Sequence, residues 1–267
     1  MAAGYVPKTV TVTLTNGQVT VQDFQLTPAI PFTVNGQVVD EQGATIADAK
    51  VLLEGIVTDY TFTTDASGTF SATMDNGSYD VLAGKWGYNT RLIQDTLLDV
   101  LNPNIVIELT AGYKDEFVLD LGWITTANAQ TGAWQRGKPN GTSDPTYGQV
   151  APGEDVTTDL GEACYVTGNN GSSFADDDVD NGTVRLISPM FDATGYIEPY
   201  VKLETWFVNV GGNGTPNDAL TLQISDGVST TTVEIVTLSD PNWTARTYRL
   251  KDYLTPSATM RFYHRNV

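Results

Sequence analysis

Short runs rich in Val, Thr, Ile, Tyr and Phe, each five to eight residues long, recur along the whole chain and are separated by Asn-Gly or other glycine-bearing turns. Asn16-Gly17, Asn35-Gly36, Asn76-Gly77, Asn140-Gly141, Asn170-Gly171, Asn181-Gly182 and Asn213-Gly214 all carry hairpin-turn chemistry, because both residue types accept positive φ cheaply. Apolar positions at helical spacing are nearly absent. This grammar restricts the fold to an all-β architecture.

With 267 residues the chain is long enough for two domains and some additional strands. Its 40% hydrophobic content supports real cores. The balance of 14 basic against 32 acidic residues, −18 in total, repels nucleic acid and anionic membrane surfaces and favours cations. No segment approaches the 18 or so consecutive apolar residues of a membrane-spanning helix, so no membrane insertion is expected. Met1-Ala2-Ala3 lacks the basic and apolar regions of a signal peptide, and any export address is expected outside these residues. Cys164 is the sole cysteine. It excludes an intrachain disulfide and reads as a core position between Ala163 and Tyr165.

Residues 33–110 alternate cleanly: Val34 and Val38, then Ala49, Val51 and Leu53, then Tyr60 and Phe62, with turns at Asp40–Gly43 and Asp65–Gly68. The turn Asp65-Ala66-Ser67-Gly68 reads as closing a hairpin onto Phe70 and Ala72, and Asn76-Gly77 leads into Tyr79, Val81 and Ala83. The succession V-x-G-x-V-x-D-x-x-G, A-x-A-x-V-x-L-x-G, T-T-D-A-x-G-x-F, G-x-Y-x-V and Gly87-Tyr88 resembles a carboxypeptidase regulatory-like module. The resemblance implies a transthyretin-like sandwich that accompanies secreted enzymes and surface proteins and carries no catalytic residues of its own. Gly4-Tyr5-Val6 and the run up to Leu26-Thr27 echo Gly87-Tyr88-Asn89 and the run up to Leu109-Thr110. Residues 1–30 are therefore expected to be either the terminal strands of a preceding repeat or an extra hairpin, with residues 31–112 forming the sandwich.

Residues 113–267 read as a second domain. An opening strand is expected at Phe117–Trp123, followed by a long polar passage over residues 125–182 and strands resuming near 182–188, 200–210, 219–224, 231–238, 247–250 and 260–264. The motifs Trp134-x-Arg136-Gly137-x-Pro139, Cys164-Tyr165-Val166-Thr167-Gly168, Asp178–Asp192 and Asn217–Gly227 are similar to a jelly-roll module of the MAM-like and cleaved-adhesin-like kind. That resemblance implies a jelly-roll sandwich found in secreted bacterial metallopeptidases and cell-surface proteins. Such modules carry one further acidic strand, so this one is expected to continue past Val267.

The densest chemistry lies in Asp176-Asp177-Asp178-Val179-Asp180-Asn181-Gly182. Four carboxylates in five residues repel one another unless solvated or bridged, and hard oxygen ligands on a turn suit Ca²⁺. The spacing is not that of an EF-hand, so ligands must also come from elsewhere. Structural Ca²⁺ is expected on Asp176, Asp178 and Asp180 with Asp115 and Glu116, and a naked solvated loop is the competing reading. Asp192 and Asp218 are weaker candidates that turn capping explains as well. Trp123, Trp134, Trp206, Trp243, Tyr147 and Tyr165 could include a sugar-stacking platform, although aromatics on alternating strand positions more often pack inward. His264 is the sole histidine, which excludes His-based zinc sites, and neither a G-x-S-x-G elbow nor a phosphate-binding loop is present. No catalytic residue is assigned and no enzymatic activity is expected.

The reading at this level is a non-catalytic, calcium-stabilised pair of modules in an extracellular or cell-surface bacterial protein. Its expected partners are other modules of the same polypeptide, neighbouring subunits or a polysaccharide, and not nucleic acid. The alternatives are a fibre or sheath subunit assembled by strand exchange and a carbohydrate-binding module.

Overall fold

The computed structural model describes residues 4–6, 8–169, 178–210 and 216–266. They are almost wholly β: eighteen strands and one 3-10 turn, Leu250–Asp252. Two compact units divide them, Met1–Lys114 and Asp115–Val267.

The first unit is a seven-stranded sandwich. Its strands are β1 (Pro31–Asp40), β2 (Lys50–Gly55), β3 (Tyr60–Thr63), β4 (Thr69–Asp75), β5 (Gly77–Gly84), β6 (Arg91–Leu98) and β7 (Asn104–Leu109). One sheet runs β4-β1-β7 and the other β3-β2-β5-β6. All pairings are antiparallel except β1 with β7, which is parallel. Period-two alternation turns Val34 and Val38, Val51 and Leu53, Tyr79 and Val81, and Ile107 and Leu109 into one shared core.

Two local expectations change in this unit. Asn35-Gly36 is no turn: it lies inside β1, with Gly36 opposite Phe70 of β4. A Cβ on Gly36 would stand 2.0 Å from the Phe70 ring, so the glycine exists to let that ring lie across the strand. The turn Asp65–Gly68 is tight, with Gly68 at φ +69° and the Asp65 Oδ1 accepting the Ser67 and Thr69 N–H groups. It does not close a hairpin, because β3 pairs with β2 while β4 pairs with β1, and the chain changes sheets there.

Residues 8–27 run out from the first unit and back without forming a strand, reversing at Asn16-Gly17, where the Gln18 N–H donates to the Thr15 carbonyl. Val10, Leu14, Val19, Val21 and Phe24 along these arms are exposed.

The second unit contains β8 (Ile124–Ala127), β9 (Trp134–Gly137), β10 (Thr142–Asp144), β11 (Gly148–Ala151), β12 (Cys164–Thr167), β13 (Val184–Ile187), β14 (Tyr200–Phe207), β15 (Leu220–Ser225), β16 (Thr230–Val236), β17 (Asp240–Arg249) and β18 (Arg261–Asn266). An antiparallel five-stranded sheet, β16-β15-β18-β13-β8, contributes Leu220, Leu222, Ile224, Val236 and Phe262 to a core that also holds Phe207 and Tyr248 of the β14–β17 pair. The fold is thus all-β, two sandwich units in series. Phe117–Trp123 forms no strand despite its alternation. The Asp115 and Asp120 carboxylates accept the N–H groups of Phe117 and Gly122 and draw the chain into turns, with Phe117 and Gly122 both at positive φ. The strand expected at 247–250 starts instead at Asp240; its register against β14 shifts where Pro241, Asn242 and Trp243 stand opposite Trp206 alone, a break in the ladder that accommodates the proline.

Candidate functional site

Strand register decides which acidic side chains meet. Val184, the first residue of β13, and Leu220, the first residue of β15, both pair with Asn266 at the end of β18, and Val184 also pairs with Ala127 at the end of β8. The segments leading into β13 and β15 and leaving β8 therefore gather at one end of the five-stranded sheet. Asp178 and Asp180 arrive on the first of these segments and Asp218 on the second.

The stretch leading into β13 is fastened firmly. The Gln130 N–H donates to the Asp180 carbonyl (2.8 Å), the Thr131 hydroxyl to the Asp178 carbonyl (2.8 Å) and the Thr183 N–H to the Asn128 Oδ1 (2.8 Å). Val179 is buried between its two acidic neighbours, and Asn181 takes φ +52°. Backbone anchoring thus holds Asp178 and Asp180 at the sheet end whatever their side chains do.

The electrostatics show the carboxylates in each other's field. Burial raises the Asp178 carboxyl above its ordinary range and the Asp180 charge raises it further, while the Val179 N–H opposes both. Asp218 is raised by burial first and then by the charges of Asp178 and Asp180. A divalent cation offsets a penalty of this kind. These three side chains are hard oxygen donors, which is the donor chemistry Ca²⁺ takes. Among the described residues, however, no three His, Cys, Asp or Glu side chains stand close enough together to hold an ion as they are. Asp176, the remaining loop residue expected as a ligand, lies outside the described residues.

Asp115 and Glu116, expected to complete the set, are placed elsewhere in the electrostatic network. Both Asp115 oxygens accept protein donors, Oδ1 from the Phe117 N–H (2.9 Å) and Oδ2 from the Trp123 indole (2.9 Å). Burial lifts the Asp115 carboxyl to about 6 against those donors and the Arg136 charge, and the neighbouring acid is Asp120, not the loop. Glu116 is buried. Asp192 is a turn cap whose Oδ1 accepts the Thr194 N–H (2.8 Å). Asp218, weighed below the others in the sequence, is the residue the register brings to Asp178 and Asp180. Its only sequence signal was its position just before a strand.

Tyr147 is exposed, whereas the other aromatic residues weighed as a sugar platform are packed against neighbouring rings. Phe117, Trp123 and Tyr165 pack edge to face or tilted within 5.1–6.3 Å, and Arg136 donates to the Phe117 carbonyl (2.8 Å). Trp206 and Trp243 meet at 6.0 Å, and their indole N–H groups donate to the Val150 and Glu154 carbonyls. That contact ties the segment around β11 to the β14–β17 pair.

His264 sits in β18 between Leu186 and Leu222, with its ring 4.8 Å from that of Trp134. Its Nε2 is sealed from solvent without a hydrogen-bond partner among the described residues, and burial, aided by the Arg246 charge, pushes it down to about 3. The imidazole is therefore neutral at physiological pH. Cys164 is buried, and burial followed by the nearby Asp155 carboxylate raises its thiol, leaving it protonated and unreactive.

Comparison with known proteins gives one match that bears on function. Residues 33–110 match the family model of the carboxypeptidase regulatory-like domain. The match covers most of the first sandwich and none of the second unit. No curated protein sequence matches the chain. Among solved structures, the chain is similar to the TIE protein of Bacillus anthracis at 11% identity and TM-score 0.25, covering 84% of this chain and 44% of that one. The major pilin subunit of Bacillus cereus is 11% identical with TM-score 0.24, covering 89% and 58%. The fimbrial protein FimP from Actonomyces oris is 11% identical with TM-score 0.25, covering 90% and 57%. The chain spans about half the length of each of these structures, and superpositions so loose carry no argument about what it does.

Proposed function

We propose that this chain is a non-catalytic pair of extracellular or surface modules that space and attach parts of a larger bacterial protein, with the second unit stabilised by Ca²⁺. The observation that carries the reading is the regulatory-like sandwich at residues 33–110. Its acids serve as turn-builders: the Asp40, Asp65 and Asp99 carboxylates each accept backbone N–H groups in the loops that join its strands. In the second unit Asp144 and Asp226 do the same, and the one histidine is packed neutral. A chain that uses its reactive groups this way supplies rigid shape.

Asp178, Asp180 and Asp218 are the acids that would face the cation; they would have to draw closer than they stand to hold it, and bound Ca²⁺ would supply counter-charge to the sheet end. Antibodies raised against the purified chain test the location: labelling of intact cells or of culture supernatant is expected. Labelling that requires cell lysis contradicts the reading.

A further inference from the structure

The segment ahead of the first sandwich repeats one of that sandwich's own fastenings. At the base of the β6–β7 arch, which crosses between the sheets, the Gly112 N–H donates to the Gly87 carbonyl (3.0 Å) and the Asn89 N–H to the Thr110 carbonyl (2.9 Å), around a bridge between Tyr88 and Ala111. At residues 4–29, the Ala29 N–H donates to the Gly4 carbonyl (2.9 Å) and the Val6 N–H to the Thr27 carbonyl (2.8 Å), around a bridge between Tyr5 and Pro28. The Arg91 guanidinium reaches the Glu108 carbonyl (2.8 Å), and the Lys8 ammonium reaches the Gln25 carbonyl (3.5 Å). Gly87 and Gly4 both take positive φ, +98° and +77°. Every residue of one set lies 83 positions from its counterpart (87 − 4, 91 − 8, 110 − 27, 112 − 29), with no insertion between them.

In the first unit this arch closes the sandwich. β6 extends one sheet by pairing with β5, and β7 extends the other by running parallel to β1. Leu98, Ile107 and Leu109 then seal the core. At the 83-residue offset, Val10 stands for Ile93, Phe24 for Ile107 and Leu26 for Leu109, whereas Thr15 and Gln22 replace Leu98 and Ile105. Ile107 is fully buried, while its counterpart Phe24 is 56% exposed. Residues 8–27 thus repeat the clasp and part of the apolar pattern of a core-closing element, yet form no ladder and leave apolar side chains in water. Unpaired edges of this kind seek a sheet.

We infer that residues 4–29 are the closing pair of strands of a further regulatory-like sandwich, and that they dock a five-stranded body of the β1–β5 type joined ahead of Gly4. Residues 8–15 lie along its β5-type strand, and residues 21–27 run parallel to its β1-type strand. A second copy of this chain fits less well, because its own β6 and β7 already fill the equivalent places.

The test places residues 31–86 directly ahead of Gly4 in the full chain, in place of residues 1–3, and measures hydrogen exchange at residues 8–27. Docking slows exchange there on the order of 1,000-fold relative to the parent chain, as expected of strands in a stable core. Phe24→Asp abolishes that slowing and leaves β6 and β7 protected. A second fusion with Thr15→Leu and Gln22→Ile restores the two departed apolar positions. Slowed exchange in either fusion supports the docking, and exchange as fast as the parent's in both overturns it. Slowing that rises with concentration in the parent alone assigns the surface to a second copy and also overturns it.

Discussion

Replacing Gly36 with alanine tests the packing of the first sandwich at a single atom. The new Cβ would lie 2.0 Å from Cζ and 2.1 Å from Cε1 of Phe70, far inside contact distance, so the ring must leave its place. That ring is nearly buried and stacks on Phe62 at 4.7 Å. Overpacking of this kind costs about 1–3 kcal/mol, and loss of the aromatic pair adds roughly 1 kcal/mol. The smaller entropy of an unfolded chain with alanine offsets roughly 0.5–1 kcal/mol. A net loss of about 2 kcal/mol follows, roughly a 10 °C drop in the melting temperature of a domain this size. Urea denaturation of Gly36→Ala, Phe70→Leu and the double variant isolates the clash. With the ring shortened the added methyl fits, so the double variant should be more stable than the summed single losses by about 1 kcal/mol or more. Losses that add within roughly 0.5 kcal/mol would show that no clash exists and refute the placement of Gly36 beneath Phe70.

Asp115 carries a raised folded-state pKa, so its buried charge costs stability at neutral pH. The penalty is absent below about 4, grows as pH rises through about 6, and reaches roughly 3 kcal/mol above that. Asp115→Asn should flatten the decline in second-unit stability between pH 4 and 7, as followed by thermal melts. Glu234 has the opposite sign. Burial raises its pKa, but hydrogen bonds from Tyr248 and Arg246 more than offset this, so its stabilisation is present above about 4.5 and is lost as pH falls. Glu234→Gln should cost about 1–2 kcal/mol at pH 7, less than a fully buried pair would, because the Glu234 side chain is 36% exposed. The same substitution should cost little at pH 3 in chemical denaturation.

Period-two alternation made the first core legible: Val34 and Val38, Val51 and Leu53, and Tyr79 and Val81 all point inward as their spacing requires. Sheet membership was not legible there. Asp65–Gly68 has the same local chemistry whether it joins partners in one sheet or carries the chain between two, and only the distant pairings of β3 with β2 and β4 with β1 decide. Alternation also misled at Phe117–Trp123, where two aspartate side chains took the backbone N–H groups into turns. For the acidic site, the run of carboxylates was plain in the sequence. The approach of Asp218, 40 residues beyond Asp178, depends on two strands beginning opposite one residue, Asn266. No local pattern encodes that meeting.

Titration of the full chain with CaCl₂, read by calorimetry and thermal melting beside an Asp178→Asn/Asp218→Asn variant, tests the scaffold account most directly. Saturable binding with a dissociation constant of about 0.1–1 mM is expected, as in extracellular calcium modules. At 10 mM Ca²⁺ this should stabilise the second unit by about 1.5–3 kcal/mol, and the variant should lose the effect. A melting temperature unmoved by 10 mM Ca²⁺ (roughly ten or more times the expected constant), or raised equally in the variant, would contradict a cation held at this sheet end.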